Sequence, residues 1–167
     1  MQASSQNTHT LFGLDELETC VKRIGLQKDQ FCLTGSSVLA ALGLRENRDI
    51  DLIVLRALRR RFKPRGKAIS LSDNVEMTSG NAFAPFGLKD DVIIRDPRYH
   101  ITVHGYRFVG PELILAWKLH RGLAKPHHLQ KDLSDIKLLS DYAHDSDDWD
   151  WTLVPGYKHA RRAMKRS

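Results

Sequence analysis

The sequence predicts an α+β domain in which helices flank a mixed β-sheet, and three observations predict it. Asp49-Ile50-Asp51-Leu52-Ile53-Val54-Leu55 is an apolar run whose acidic residues fall only at its start and on alternate positions, as in a strand. Leu14, Leu17, Val21 and Ile24 recur at three- and four-residue steps, as do Leu129, Leu133, Ile136 and Leu139, each set marking one face of a helix. Strand-like and helix-like segments interleave with no internal repeat and no second apolar core.

Taken in order, residues 1–10, rich in Ser, Gln, Asn and Thr, are expected to form a disordered leader. A helix follows over residues 14–24, with Asp15 and Glu16 suited to its first turn and Gly25 to its end. Phe31-Cys32-Leu33 reads as a buried strand entering the turn Thr34-Gly35-Ser36-Ser37, and a short helix runs from Val38 towards Gly43. After the Asp49–Leu55 strand, a basic stretch from Arg56 to Lys67 covers a short helix and a loop broken by Pro64 and Gly66. Weaker strands are expected at 68–71, 74–78, 91–95, 101–104 and 106–109. Pro111 opens a helix to about Arg121, Gly122–Pro126 breaks it, and 128–142 forms the last helix. The domain therefore spans 11–145, and 146–167 is an acidic, Trp-bearing segment with a basic tail.

A chain of 167 residues can close a hydrophobic core of its own. No apolar run approaches the roughly 20 residues of a membrane helix. The polar start MQASSQNTHT lacks the apolar stretch of a secretory signal, so a cytoplasmic setting is expected. Cys20 and Cys32 are isolated among apolar residues, which points to buried free thiols rather than a zinc site or disulfide. The net charge of +6 is uneven. Arg and Lys crowd Arg56–Lys67 and Lys158–Arg166, a pattern that suits an anionic partner or a solvated face.

The chemistry is carried by a glycine-serine turn and a carboxylate pair. Gly35-Ser36-Ser37 sits between a strand and a helix, where glycine lets a phosphate approach and the following N–H groups and hydroxyls favour an anion. Asp49 and Asp51 share one face of the next strand. Two carboxylates so close repel and resist burial without a cation. Mg2+ resolves this, because it takes one or two carboxylates and completes its shell with water and substrate phosphates. For an isolated pair, two exposed aspartates on an edge strand would be the expectation; the neighbouring turn changes it.

These residues carry a resemblance. GSSVLAALGLRENRDIDLIV (35–54) resembles the signature of the nucleotidyltransferase superfamily related to DNA polymerase β. It is closest in style to small bacterial members such as lincosamide nucleotidyltransferases and the nucleotidyltransferases of toxin–antitoxin systems. LQKDLSDIKLL (129–139) resembles the Lys-Asp-x-x-Asp-Ile helix of several of these, and the likeness extends over about 14–140. It implies the nucleotidyltransferase fold, with a nucleoside triphosphate such as ATP and two magnesium ions at one sheet edge. Gly35, Ser36 and Ser37 would hold phosphates, and Asp49 and Asp51 the metal. A third carboxylate on a later strand would complete the site and deprotonate the acceptor. Glu76 fits best, with Asp91 and Asp96 as rivals.

Arg45 and Arg48 flank the turn before Asp49 and could reach phosphate oxygens, although Arg48 is equally suited to pairing with Asp49 or Glu46. The resemblance suggests that Lys118 or Lys131 faces the nucleotide and that Asp132 and Asp135 orient neighbouring chains; surface ion pairing is the competing expectation. No carboxylate or cysteine cluster accompanies His127-His128, which argues against zinc there. Trp117 is expected in the core, with Trp149 and Trp151 anchoring the acidic segment or capping a cleft. The implied activity is transfer of a nucleoside monophosphate from the triphosphate to a hydroxyl or phosphate acceptor, an RNA or a small molecule. The alternatives are a catalytically degenerate nucleotide-binding or toxin–antitoxin partner module, and an RNA-binding protein built on the basic clusters.

Overall fold

In the computed structural model the described residues are 11–62, 67–147 and 149–154. The expected leader at 1–10, the basic tail Lys158–Arg166 and the Pro64-Gly66 loop break lie outside them.

The chain opens with α1 (Leu14–Ile24), whose acidic first turn and basic last turn both oppose the helix dipole. Gly25 closes it in the left-handed conformation, its N–H capping the last carbonyls. The strand β1 (Phe31–Thr34) is buried along its whole length, which is why its side chains are apolar without alternation. The helix α2 (Ser36–Ala41) leads to β2 (Ile50–Val54), followed by α3 (Arg56–Arg59), β3 (Ile69–Ser70) and β4 (Val75–Met77). Next come α4 (Asp90–Arg95), β5 (His100–Val103), β6 (Tyr106–Val109), α5 (Pro111–Ala124) and α6 (Pro126–Asp145).

The six strands form one mixed sheet in the order β3-β4-β2-β1-β6-β5. The central β1–β2 pair is antiparallel, β4 and β6 run parallel to β2 and β1 respectively, and each edge strand is antiparallel to its neighbour. Phe31, Leu33, Leu52 and Ile53 of the centre are wholly buried, sealed by Leu17 of α1, Leu39 of α2, Ile93 of α4 and Leu113 of α5. This is the α+β architecture expected. Both cysteines are buried and free, and burial pushes the Cys32 thiol up to about 12.

Three expectations are corrected. Residues 91–95 are not a strand but part of α4, where Asp90, Ile93 and Ile94 share the buried face. A short apolar run has no alternation to distinguish the two. Gly122 does not end its helix. A Cβ there would stand 2.9 Å from Cδ1 and 3.0 Å from Cβ of Leu129, so the glycine lets α6 approach α5 closely. The break falls instead at Lys125, extended because Pro126 follows and opens α6. Finally, Leu133 is 48% exposed, whereas Asp132 and Asp135 are buried beside Leu139. The inward face of α6 is thus partly ionic, which apolar periodicity could not report.

Candidate active site

Gly35 leaves β1 with φ 64° and ψ −134°, a conformation open in practice only to glycine. The turn carries the chain directly against the next strand. A Cβ on Gly35 would stand 2.8 Å from Oδ2 of Asp51. The Ser36 hydroxyl donates to Oδ1 of Asp49 at 3.2 Å, and the Ser37 hydroxyl to the Asp49 carbonyl at 3.4 Å. Buried Asn47 fixes the approach to β2 by donating to the Asp49 carbonyl at 3.1 Å while exchanging two hydrogen bonds with the Phe12 backbone. Both aspartates therefore meet the glycine-serine turn, one on each of its first two residues.

The sheet register supplies a third carboxylate. Asp51 pairs with Thr34 on one side and with Glu76 on the other. Partners in a ladder point to the same face, so Glu76 stands beside Asp51, exposed at its tip. Burial, then the charges of Asp49 and Glu76, push the Asp51 carboxyl up to about 6; the charges of Lys118 and Arg121 pull it partly back. The rivals of Glu76 are engaged elsewhere. Asp91 accepts the Arg56 backbone N–H at 2.7 Å, and Asp96 is held at about 2 chiefly by its hydrogen bonds from Arg98. Both line a shallow depression on α4 that shares no residue with the cluster.

Behind the carboxylates lies a second charged group, built where α5 and α6 cross the turn between α2 and β2. Lys118, 4% exposed, sets its ammonium 2.9 Å from Asp132 and 3.0 Å from Asp135. Arg45 grips Asp135 through two nitrogens at 2.6 and 2.8 Å, and Arg121 holds Asp132 through Nε and Nη2. Burial pushes Asp132 and Asp135 up, but these hydrogen bonds outweigh it and leave both carboxyls below their ordinary value. Lys118 is thus a buried cation with two carboxylate partners, and Asp132 and Asp135 orient cations around the site.

Lys131 lies exposed on α6, turned from the buried Asp132 beside it. Arg48 is exposed and forms no ion pair with Asp49 or Glu46 among the described residues. Sequence reading missed Arg121, although its place one turn after Lys118 on α5 could have revealed it. Trp117 packs partly buried on the core with the Arg121 guanidinium 4.1 Å from its ring. Trp149 and Trp151 pack against one another, and the Asp150 N–H between them donates to Glu112 of α5. In the basic stretch, Arg59 is occupied by the carbonyls of Thr78 and Lys67.

Among the described residues no group of three or more His, Cys, Asp or Glu side chains is drawn together tightly enough to hold a metal by itself. Magnesium needs less, one or two carboxylates with phosphate and water completing the shell. Burial first, and then the charges of Asp49 and Glu76, disfavour the Asp51 carboxylate, and a cation beside it offsets both. No helix among the described residues is long and apolar enough to cross a membrane. Comparisons with protein-family models, curated proteins and solved structures gave no match.

Proposed function

We propose that the chain has the nucleotidyltransferase fold and transfers a nucleoside monophosphate from a triphosphate to a hydroxyl or phosphate acceptor. The observation that carries this reading is the convergence of Asp49 and Asp51 on the Gly35-Ser36 turn, with Glu76 in register beside Asp51. A phosphate cradle and an acidic clamp then adjoin at the middle of the sheet, across β1, β2 and β4. The resemblance of residues 35–54 to the superfamily signature supports the same reading.

In this mechanism the backbone N–H groups of Ser36 and Ser37 and the Ser36 hydroxyl receive the β- and γ-phosphates, while the buried Ser37 hydroxyl stays on the Asp49 carbonyl. Asp49 and Asp51 would hold magnesium, which when bound would neutralise charge at the α-phosphate. Exposed Glu76 takes the proton of the acceptor as its oxygen attacks the α-phosphorus. The bond from the α-phosphorus to the bridging oxygen breaks, and pyrophosphate leaves. Positioning and charge supply most of the rate. Incubation with α-labelled ATP, GTP, CTP and UTP plus magnesium, with RNA and small-molecule fractions as acceptors, tests this. Label transfer by the native protein and its loss in Asp51→Asn are expected; transfer retained in the variant refutes the mechanism.

One observation favours a second reading, a module that binds nucleotide without transferring it: the three carboxylates are not tightly gathered. In that case magnesium-dependent nucleotide binding appears with no pyrophosphate released. The RNA-binding reading predicts affinity that survives loss of Asp49 and Asp51 and falls steeply with salt.

A further inference from the structure

The α5–α6 charge group contains three cations, Arg45, Lys118 and Arg121, against two carboxylates, Asp132 and Asp135. One positive charge is left over, and it lies close enough to Asp51 to act on it. The three cations are not equally free to meet a ligand. Lys118 is sealed, and its ammonium sits between both carboxylates. Arg45 commits Nε and Nη2 to Asp135, and its Nη1 donates to the Glu46 carbonyl at 2.5 Å. Arg121 differs. Its side chain is about a quarter exposed, only Nε and Nη2 bond Asp132, and its Cζ lies 4.1 Å over the Trp117 ring. Among the described residues Nη1 of this guanidinium meets no acceptor, which leaves both of its N–H donors for an anion.

We propose that Arg121 is the residue that binds the terminal phosphates of the nucleotide, with Asp132 and Trp117 orienting its guanidinium towards them. This rests on the reading of Asp49 and Asp51 as the metal clamp. Lys118 acts behind it: by satisfying Asp132 and Asp135 together, it lets Asp132 hold Arg121 without cancelling the charge that Arg121 presents. Phosphate suits a planar fork with free donors, and a partly desolvated guanidinium binds it more strongly than an exposed one.

The test is equilibrium binding of ATP, GTP, CTP and UTP, and of the matching monophosphates, with magnesium, to native protein and to Arg121→Gln and Arg121→Lys. Thermal melting checks that each variant is folded. In Arg121→Gln the triphosphates should weaken about tenfold or more while the monophosphates change by less than about threefold, since only the former reach the guanidinium. Arg121→Lys should fall between, keeping the charge without the fork. Equal weakening of both ligand classes, or unchanged triphosphate affinity, overturns the proposal and leaves the reading of the carboxylates standing. Failure of the native protein to bind any triphosphate overturns both.

Discussion

At the scale of single residues, Gly35 is the position where backbone geometry and chemistry meet. Its positive φ resists any side chain, and the space a Cβ would take is already filled by an oxygen of Asp51. Gly35→Ala is expected to lower stability by about 1–3 kcal/mol and to displace Asp51 from the turn. Thermal melting should record the first, and transfer lost beyond the fraction unfolded should record the second. The Gly-Ser turn and the Asp-x-Asp pattern were legible because each depends on local backbone geometry. Glu76 was preferred to Asp91 and Asp96 for its short alternating strand, but what separates it from them physically was not legible. That depended on which carboxylates are already occupied, by the Arg56 N–H and by Arg98, and on strand pairing. The cation called for by the site was sought at Lys118 or Lys131. One proved buried in ion pairs and the other exposed, and no residue-by-residue pattern distinguishes these.

At the scale of elements, the α5–α6 hairpin is held by one close approach and one buried charge group. Gly122→Ala should push Leu129 and the α6 backbone away, at a cost of roughly 1–3 kcal/mol. Adding Leu129→Ala should recover less than the full loss if the 3.2 Å approach to the Leu129 Cα also matters, as a double-mutant cycle by chemical denaturation would show. Lys118→Met leaves Asp132 and Asp135 with one arginine each. Breaking a buried pair in this way should cost about 3 kcal/mol, the lower end of its usual range, because neither carboxylate is wholly abandoned. Melting temperature is the readout. The hairpin shows where sequence reading stops. Apolar spacing identified both helices, yet Asp132 and Asp135 are buried and Leu133 is exposed, because three cations from other elements supply what apolar neighbours would otherwise provide. The 91–95 segment failed for the opposite reason: five residues carry too little pattern to separate a helix from a strand.

At the scale of the whole molecule, the raised Asp51 carboxyl couples the site to global stability. In the unfolded chain it titrates near 3.8, and in the fold near 6. Below about pH 4 it is protonated in both states and imposes no penalty. As pH rises from about 4 to 6 the unfolded chain releases the proton first, so the fold loses stability, by about 1–3 kcal/mol in all, and the loss is complete above the folded value. Asp51→Asn should remove that loss. In chelator at pH 7 the variant should melt roughly 2–8 °C above the native protein while showing no transfer, and the advantage should vanish at pH 4. The same molecule-wide view explains the register of its central strands. Thr34, Asp51 and Glu76 form one row across an antiparallel and a parallel pairing, with buried Ile50 and Leu52 flanking Asp51 and buried Val75 and Met77 flanking Glu76. Sliding β4 by a single step against β2 would set Val75 or Met77 next to Asp51 and drive Glu76 into the hydrocarbon interior. A chain misaligned in this way would bury a carboxylate and break up the acidic row in one step, so on the proposed function the same register that stabilises the core also assembles the site.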